Sequence, residues 1–297
     1  MKTVNRNGRI EKKAASLTRG TGFYLKTAVV LVSVFLLPFI AGAAEDIRCS
    51  KWKVSLEYLH HRSFSQQSTR IPMKAGFPLI LTKTPVFGLG YRREYPGVKH
   101  FFSAAISLPG VLDSDNGSGQ NYLFNGDESR LFISKLDYRL TMQLFQWKKI
   151  TAEHAFTSGL LYEYRQLRYL QGGREITRDL NLYIGPRMQA VWQINDKWSL
   201  GGFFDGRFYL PYLNYGYLQS LDEAGNEIFS SSYRAFYYQT LSGLRISFQT
   251  SAGQRIDLGI KKDDIVGFAN RKPLFRPDDV IHYKLRRDLR YYVACTF

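Results

Sequence analysis

The sequence predicts an all-β chain folded as a transmembrane antiparallel up-and-down β-barrel of ten strands, with twelve as the alternative count. Three observations predict it. Apolar and polar residues alternate with a period of two along most of the chain. The connections between the alternating segments run long, short, long, short. Beyond the first forty-odd residues no apolar run is long enough for a spanning helix, which needs about 20 residues. A strand that is greasy on one face and charged on the other suits a wall with hydrocarbon outside and a wet interior.

The first residues read differently. Lys2, Arg6, Arg9, Lys12, Lys13, Arg19 and Lys26 face only Glu11. An apolar run follows from Thr27 to Ile40, then the small residues Ala41, Gly42, Ala43 and Ala44. A positive region, a short apolar core and an A-x-A site make a secretory signal peptide. The expected division is a signal peptide over 1–44, cleaved after Ala43 or Ala44, and a barrel domain over 45–297. Cleavage removes seven basic side chains and one acidic, taking the formal net charge from +16 to +10.

Each strand follows from its alternation. Strand one, about 50–62, sets Trp52, Val54, Leu56 and Tyr58 against Lys53, Ser55 and Glu57. Strands two (about 84–94) and three (about 98–108) flank the tight turn Tyr95-Pro96-Gly97. Strand four, about 130–145, is the cleanest, with Leu136, Tyr138, Leu140, Met142 and Leu144 opposite Lys135, Asp137, Arg139, Thr141 and Gln143. Strands five (about 153–166), six (about 179–193) and seven (about 198–210) repeat the pattern. So do strands eight (about 233–249), nine (about 254–261) and ten, which leads to Phe297. Loops are expected over 109–129, 167–178, 211–232 and 262–280, from their Gly, Asn, Asp and Ser content or their broken alternation. Leu79-Ile80-Leu81 either extends strand two or forms an extra hairpin, which would make twelve strands. Trp52, Trp147, Trp192 and Trp198 all fall at the short-turn end, where an amphipathic ring prefers a membrane interface.

The last strand puts Leu289, Tyr291, Val293 and Cys295 on one face and Asp288, Arg290, Tyr292, Ala294 and Thr296 on the other, and finishes on an aromatic. This ending, with Tyr291, Val293 and Phe297, resembles the C-terminal assembly signal of bacterial outer-membrane β-barrel proteins. The resemblance implies a porin-like membrane protein of a Gram-negative outer membrane, inserted by the barrel-assembly machinery. Outer-membrane lipid and lipopolysaccharide phosphate are then the expected partners of this basic chain, rather than nucleic acid.

Parity sends many charges inward. Glu57, Asp137, Arg139, Glu163, Arg165, Arg187, Asp205, Arg207, Asp288 and Arg290 form an expected lumen network, joined by Lys53, Arg92, Lys135, Arg245, Arg255, Asp257, Lys261 and Arg286. Interlocked, these side chains plug a narrow lumen; left partly open, their cationic excess makes a narrow anion-preferring channel. The favoured reading is a non-enzymatic barrel, structural or weakly conducting. The alternative is a hydrolase acting on lipid or peptide from a rim site near His61 and His282, with Asp279 as the carboxylate. No nucleophile motif, metal-binding pattern or phosphate loop accompanies those histidines, so no cofactor or metal is expected. Carboxylate and histidine positions do not reproduce the omptin-type protease pattern, although the strand count does. Cys49 and Cys295 both lie at the expected seam; a disulfide between them requires Cys49 to leave the regular strand, because parity puts the two on opposite faces.

Overall fold

A computed structural model describes residues 49–67, 79–115, 128–169, 172–272 and 280–297. The signal peptide and Asp279 lie outside the described residues. The strands are β1 (Cys49–Gln67), β2 (Leu79–Tyr95), β3 (Val98–Ser107), β4 (Gly110–Val111), β5 (Asp113–Asp115), β6 (Arg130–Trp147) and β7 (Ile150–Arg168). They continue with β8 (Arg174–Gln193), β9 (Trp198–Tyr209), β10 (Tyr215–Leu221), β11 (Glu227–Gln249), β12 (Arg255–Asn270) and β13 (Val280–Thr296).

All pairings are antiparallel, and β1 pairs with both β2 and β13, so the sheet closes on itself. The ring has ten wall positions, in the order β1, β2, β3, β6, β7, β8, β9, β11, β12, β13. The short strands continue positions already counted. β4 and β5 carry on from β3 by pairing with β6 and β2. β10 carries on from β9, because both lie between β8 and β11. Leu79, Ile80 and Leu81 pair with Phe64, Ser63 and Arg62, so they extend β2 and the twelve-strand alternative falls away.

Between β9 and β10 the chain leaves the ladder, which would strand polar backbone groups. Asn214 fills the gap. Its Oδ1 accepts the Leu182 N–H at 2.6 Å and its Nδ2 donates to the Ala235 carbonyl at 3.3 Å.

Strands are longer than the alternation predicts at the loop end. Residues 174–178 belong to β8, 262–270 to β12, and most of 211–232 forms a hairpin of β10 and the start of β11, turning at Asp222–Asn226. Above the hydrocarbon, the outward face no longer needs apolar side chains, so the ladder continues while its sequence signature fades. Hydrogen bonds from the Asn226 side chain and backbone hold the exposed Asp222 carboxyl below the usual carboxylate range.

The outer wall is a belt of exposed Val54, Leu56, Phe87, Leu89, Leu136, Leu244, Leu258 and Val293. The four tryptophans are exposed at the short-turn end of that belt, and Trp52 packs on Tyr91 with ring centroids 4.9 Å apart. Inward apolar side chains gather toward the loop end instead: Leu59, Val86, Leu131, Ile133, Leu161 and Ile265 pack with Tyr183, Tyr209 and Tyr237.

The seam is closed by Trp52 and Phe297, which exchange backbone hydrogen bonds of 2.9 Å each. Cys295 is a free thiol. It stands opposite Val54, five residues along β1 from Cys49; at roughly 3.3 Å per residue that is about 16 Å, well beyond the roughly 7 Å limit for bridging. Cys49 lies in the strand, so the condition for a disulfide with Cys295 is not met.

Candidate functional site in the barrel interior

Because side chains alternate across each strand, one inward residue per two positions stacks up the lumen. Three levels result, from the short turns upward.

At the turn end the interior is an open cup of about 400 Å³. Lys53 and Arg255 share Asp257 at 2.9 and 3.0 Å, and Lys99 pairs with Glu153. The Arg139 guanidinium lies over the Phe101 ring at 5.0 Å.

In the middle, Glu57 pairs with Lys261 and, at 3.5 Å, with Arg290. Asp137 takes Lys135 at 2.9 Å and Arg207 at 3.5 Å, and accepts a hydrogen bond from Tyr183. Asp205 takes Arg207 at 2.6 Å and Arg187 at 3.7 Å, with the Thr157 hydroxyl donating at 3.0 Å. A smaller cavity of about 130 Å³ lies between these groups. Gly159 makes one of the close approaches possible: a Cβ there would overlap the Tyr183 ring.

Toward the loop end the described side chains pack closely. Glu163 accepts from Arg286 at 2.7 Å and Lys284 at 2.8 Å. Lys284 also reaches Asp179 at 3.2 Å, and Tyr233 donates to the same carboxylate. Arg286 holds Asp288 at 3.0 Å, and Asp263 takes Arg290 at 3.2 Å and the Gln239 amide at 2.6 Å. Arg165 binds Glu175 one step higher, at 3.3 Å. In the ring of ten, β7 and β13 stand five places apart. The Glu163–Arg286 bridge therefore crosses the full diameter, and Arg286 is 0% exposed.

The ten network residues expected from parity all lie in these levels. The structure adds Asp179, Glu175, Asp263 and Lys284, which sit on strand segments that the sequence reads as loop or strand edge. Their period-two spacing from Asn181, Lys261 and Arg286 is the signal that could have placed them. Tyr291, Val293 and Phe297 face outward and are exposed.

Of the expected rim site, only His61 has a described side chain, and it does not stand at an open rim; the His282 side chain and Asp279 lie outside the described residues. His61 is only 1% exposed, inside the packed level, and its Nδ1 lies 2.8 Å from Asp288, its register neighbour on β13. Its Nε2 has no hydrogen-bond partner among the described residues. The His282 backbone sits opposite Gln67 and Ala269, six positions along β13 from Asp288.

No known family profile matches the chain, and no curated protein matches it by sequence. Solved structures do match. The outer membrane protease OmpT from Escherichia coli aligns with a TM-score of 0.60 and 7% identity, covering 86% of this chain and 99% of that one. The chain has the fold of an outer-membrane β-barrel. The translocator domain of the autotransporter NalP from Neisseria meningitidis aligns at a TM-score of 0.42 and 7% identity, over 92% of this chain and 97% of that one. The Pseudomonas putida toluene transporter TodX aligns at 0.34 and 9% identity, over 86% and 90%. At these identities the likeness is one of fold. The barrel's own lumen carries the argument about function.

Proposed function

We propose that this chain is a sealed outer-membrane barrel, exported with its leader removed after Ala43 or Ala44, embedded in lipid and lipopolysaccharide, and acting without a through-pore or a catalytic site. The diametral Glu163–Arg286 bridge carries this reading. Around it Asp263, Asp288, Lys284 and Gln239 are all buried, so an ion crossing that level would have to part paired charges in a low-dielectric interior. The same packing argues against the hydrolase alternative, since the His61 ring offers no surface to a lipid or a peptide. It also argues against the narrow anion channel, because the cationic excess lies below the seal rather than through it.

Planar-bilayer conductance tests the reading. The full-length mature barrel is expected to give no sustained current steps. Glu163→Ala with Arg286→Ala, which removes the bridge without leaving either charge unpaired by the other, is expected to give steps. Regular conductance from the unaltered protein would sink the proposal.

A further inference from the structure

The cup at the short-turn end is chemically unlike the rest of the lumen. Among the described residues, seven lysines and arginines line it with Glu153 and Asp196, and Asp257 stands behind Lys53 and Arg255. A cation in a confined site needs an anionic partner or water to offset its desolvation. Higher in the lumen carboxylates supply that partner. Here two arginines have none: among the described residues, no carboxylate oxygen lies within 4.0 Å of Arg139 or Arg245. The Arg139 Nε is buried and makes no hydrogen bond among the described residues.

Both guanidinium groups are also held in place. Phe101 lies under Arg139 at 5.0 Å. Arg245 lies along Gly201, where a Cβ would come within 2.9 Å of its Nε. The glycine makes the room that the arginine uses. Both arginines border the cup and the smaller cavity above it, so they form the cup's floor. Planar, fixed, unpaired forks suit an oxyanion, which takes two parallel N–H donors from each. Two such forks on one floor favour a multiply charged anion over a singly charged one.

The route in also constrains the ligand. Every wall position is hydrogen-bonded on both sides, so lipid has no lateral way through the sheet. The cup is open at the short-turn end, so a ligand can enter there from solution, and about 400 Å³ suits a small molecule.

We propose that the turn-end cup is a binding site for a small, soluble phosphate-type oxyanion, held by Arg139 and Arg245. This goes beyond the sealed-barrel reading and does not depend on it: an open lumen would leave the cup's charges where they are.

The test is calorimetric titration of the detergent-solubilised mature barrel with inorganic pyrophosphate. It is run at about 0.15 M sodium chloride, where screening acts within about 8 Å and removes a diffuse counter-ion atmosphere. One-to-one binding is expected, with succinate weaker. Arg139→Gln with Arg245→Gln is expected to weaken it about tenfold or more, as loss of charge-assisted hydrogen bonds does. Lys262→Gln, on the exposed outer wall, is expected to leave it unchanged. Circular dichroism checks that each variant is folded. Should the double variant not fold, the wild type still decides: pyrophosphate is expected to protect Arg139 and Arg245 from phenylglyoxal, read by mass spectrometry. The proposal is overturned by no binding at this salt, by equal binding of succinate, by unchanged affinity in a folded double variant, or by no protection.

Discussion

The two halves of the lumen share a wall and a side-chain period but are filled on opposite principles. Toward the short turns, cations outnumber carboxylates, and the space is open. Toward the loops, Lys284, Arg286 and Arg290 pair with Glu163, Asp263 and Asp288, backed by Leu59, Ile133, Leu161 and Ile265. The difference is one of solvent. Where water reaches, an unpaired arginine costs little. Where it does not, each charge must meet its opposite and apolar side chains must fill what remains. Charge content alone therefore says little about a barrel's interior; the ratio of signs at each level says whether that level is wet.

That contrast can be broken by substitutions of graded effect. Arg286→Ala should cost most, about 3–5 kcal/mol, because it takes from Glu163, Asp263 and Asp288 the partner they share in a dry level. Reversible denaturant unfolding in lipid or detergent would measure it. A loss below about 1 kcal/mol would mean that water penetrates the seal. Next comes the outer wall: Leu56→Arg should cost about 2–4 kcal/mol if this exposed face meets mid-membrane hydrocarbon. The same unfolding experiment reads it, and a neutral result would place Leu56 at an interface or against protein. The smallest effect belongs to the cup. Lys99→Gln should change stability by about 1 kcal/mol, because Lys99 is partly exposed and the buried Glu153 keeps its hydrogen bond from the Gln189 amide. A cost equal to that of Arg286→Ala would erase the distinction between the halves.

The sequence makes the wall legible and the seal only partly so. Strand four shows why. Leu136, Tyr138, Leu140 and Met142 must meet lipid, so they are written as an apolar row, and Asp137, Arg139 and Thr141 between them read as lumen. At the loop end no lipid imposes that contrast. Along β12, Asp263 and Ile265 both point inward and Val266 outward, so polar and apolar residues occur on one face and the period disappears from view. Asp179, Asp263 and Lys284 were hidden for this reason. His61 was misplaced for a related one. Its inward parity is plain, but whether an inward histidine stands in water or in a packed level depends on partners such as Asp288, far away in the chain. The ten-strand count survives because it rests on connection lengths, which the fading of alternation does not touch.

The seam has a consequence for the order of events in time. β1 and β13 lie at opposite ends of the described chain, yet they pair along fifteen positions from Lys53↔Thr296 to Gln67↔His282. Until they meet, two full-length edges hang unpaired, and in hydrocarbon an unpaired edge is prohibitively unfavourable. Local hairpins such as β2–β3 can form early, but the contact that removes both edges is the most distant in sequence and is expected to be among the slowest. The diametral Glu163–Arg286 bridge cannot form before it either, since its partners face each other only once the circle is complete. Closure of the wall and sealing of the lumen are therefore one event, and a chain halted short of it is left with an open edge and an unmatched interior together.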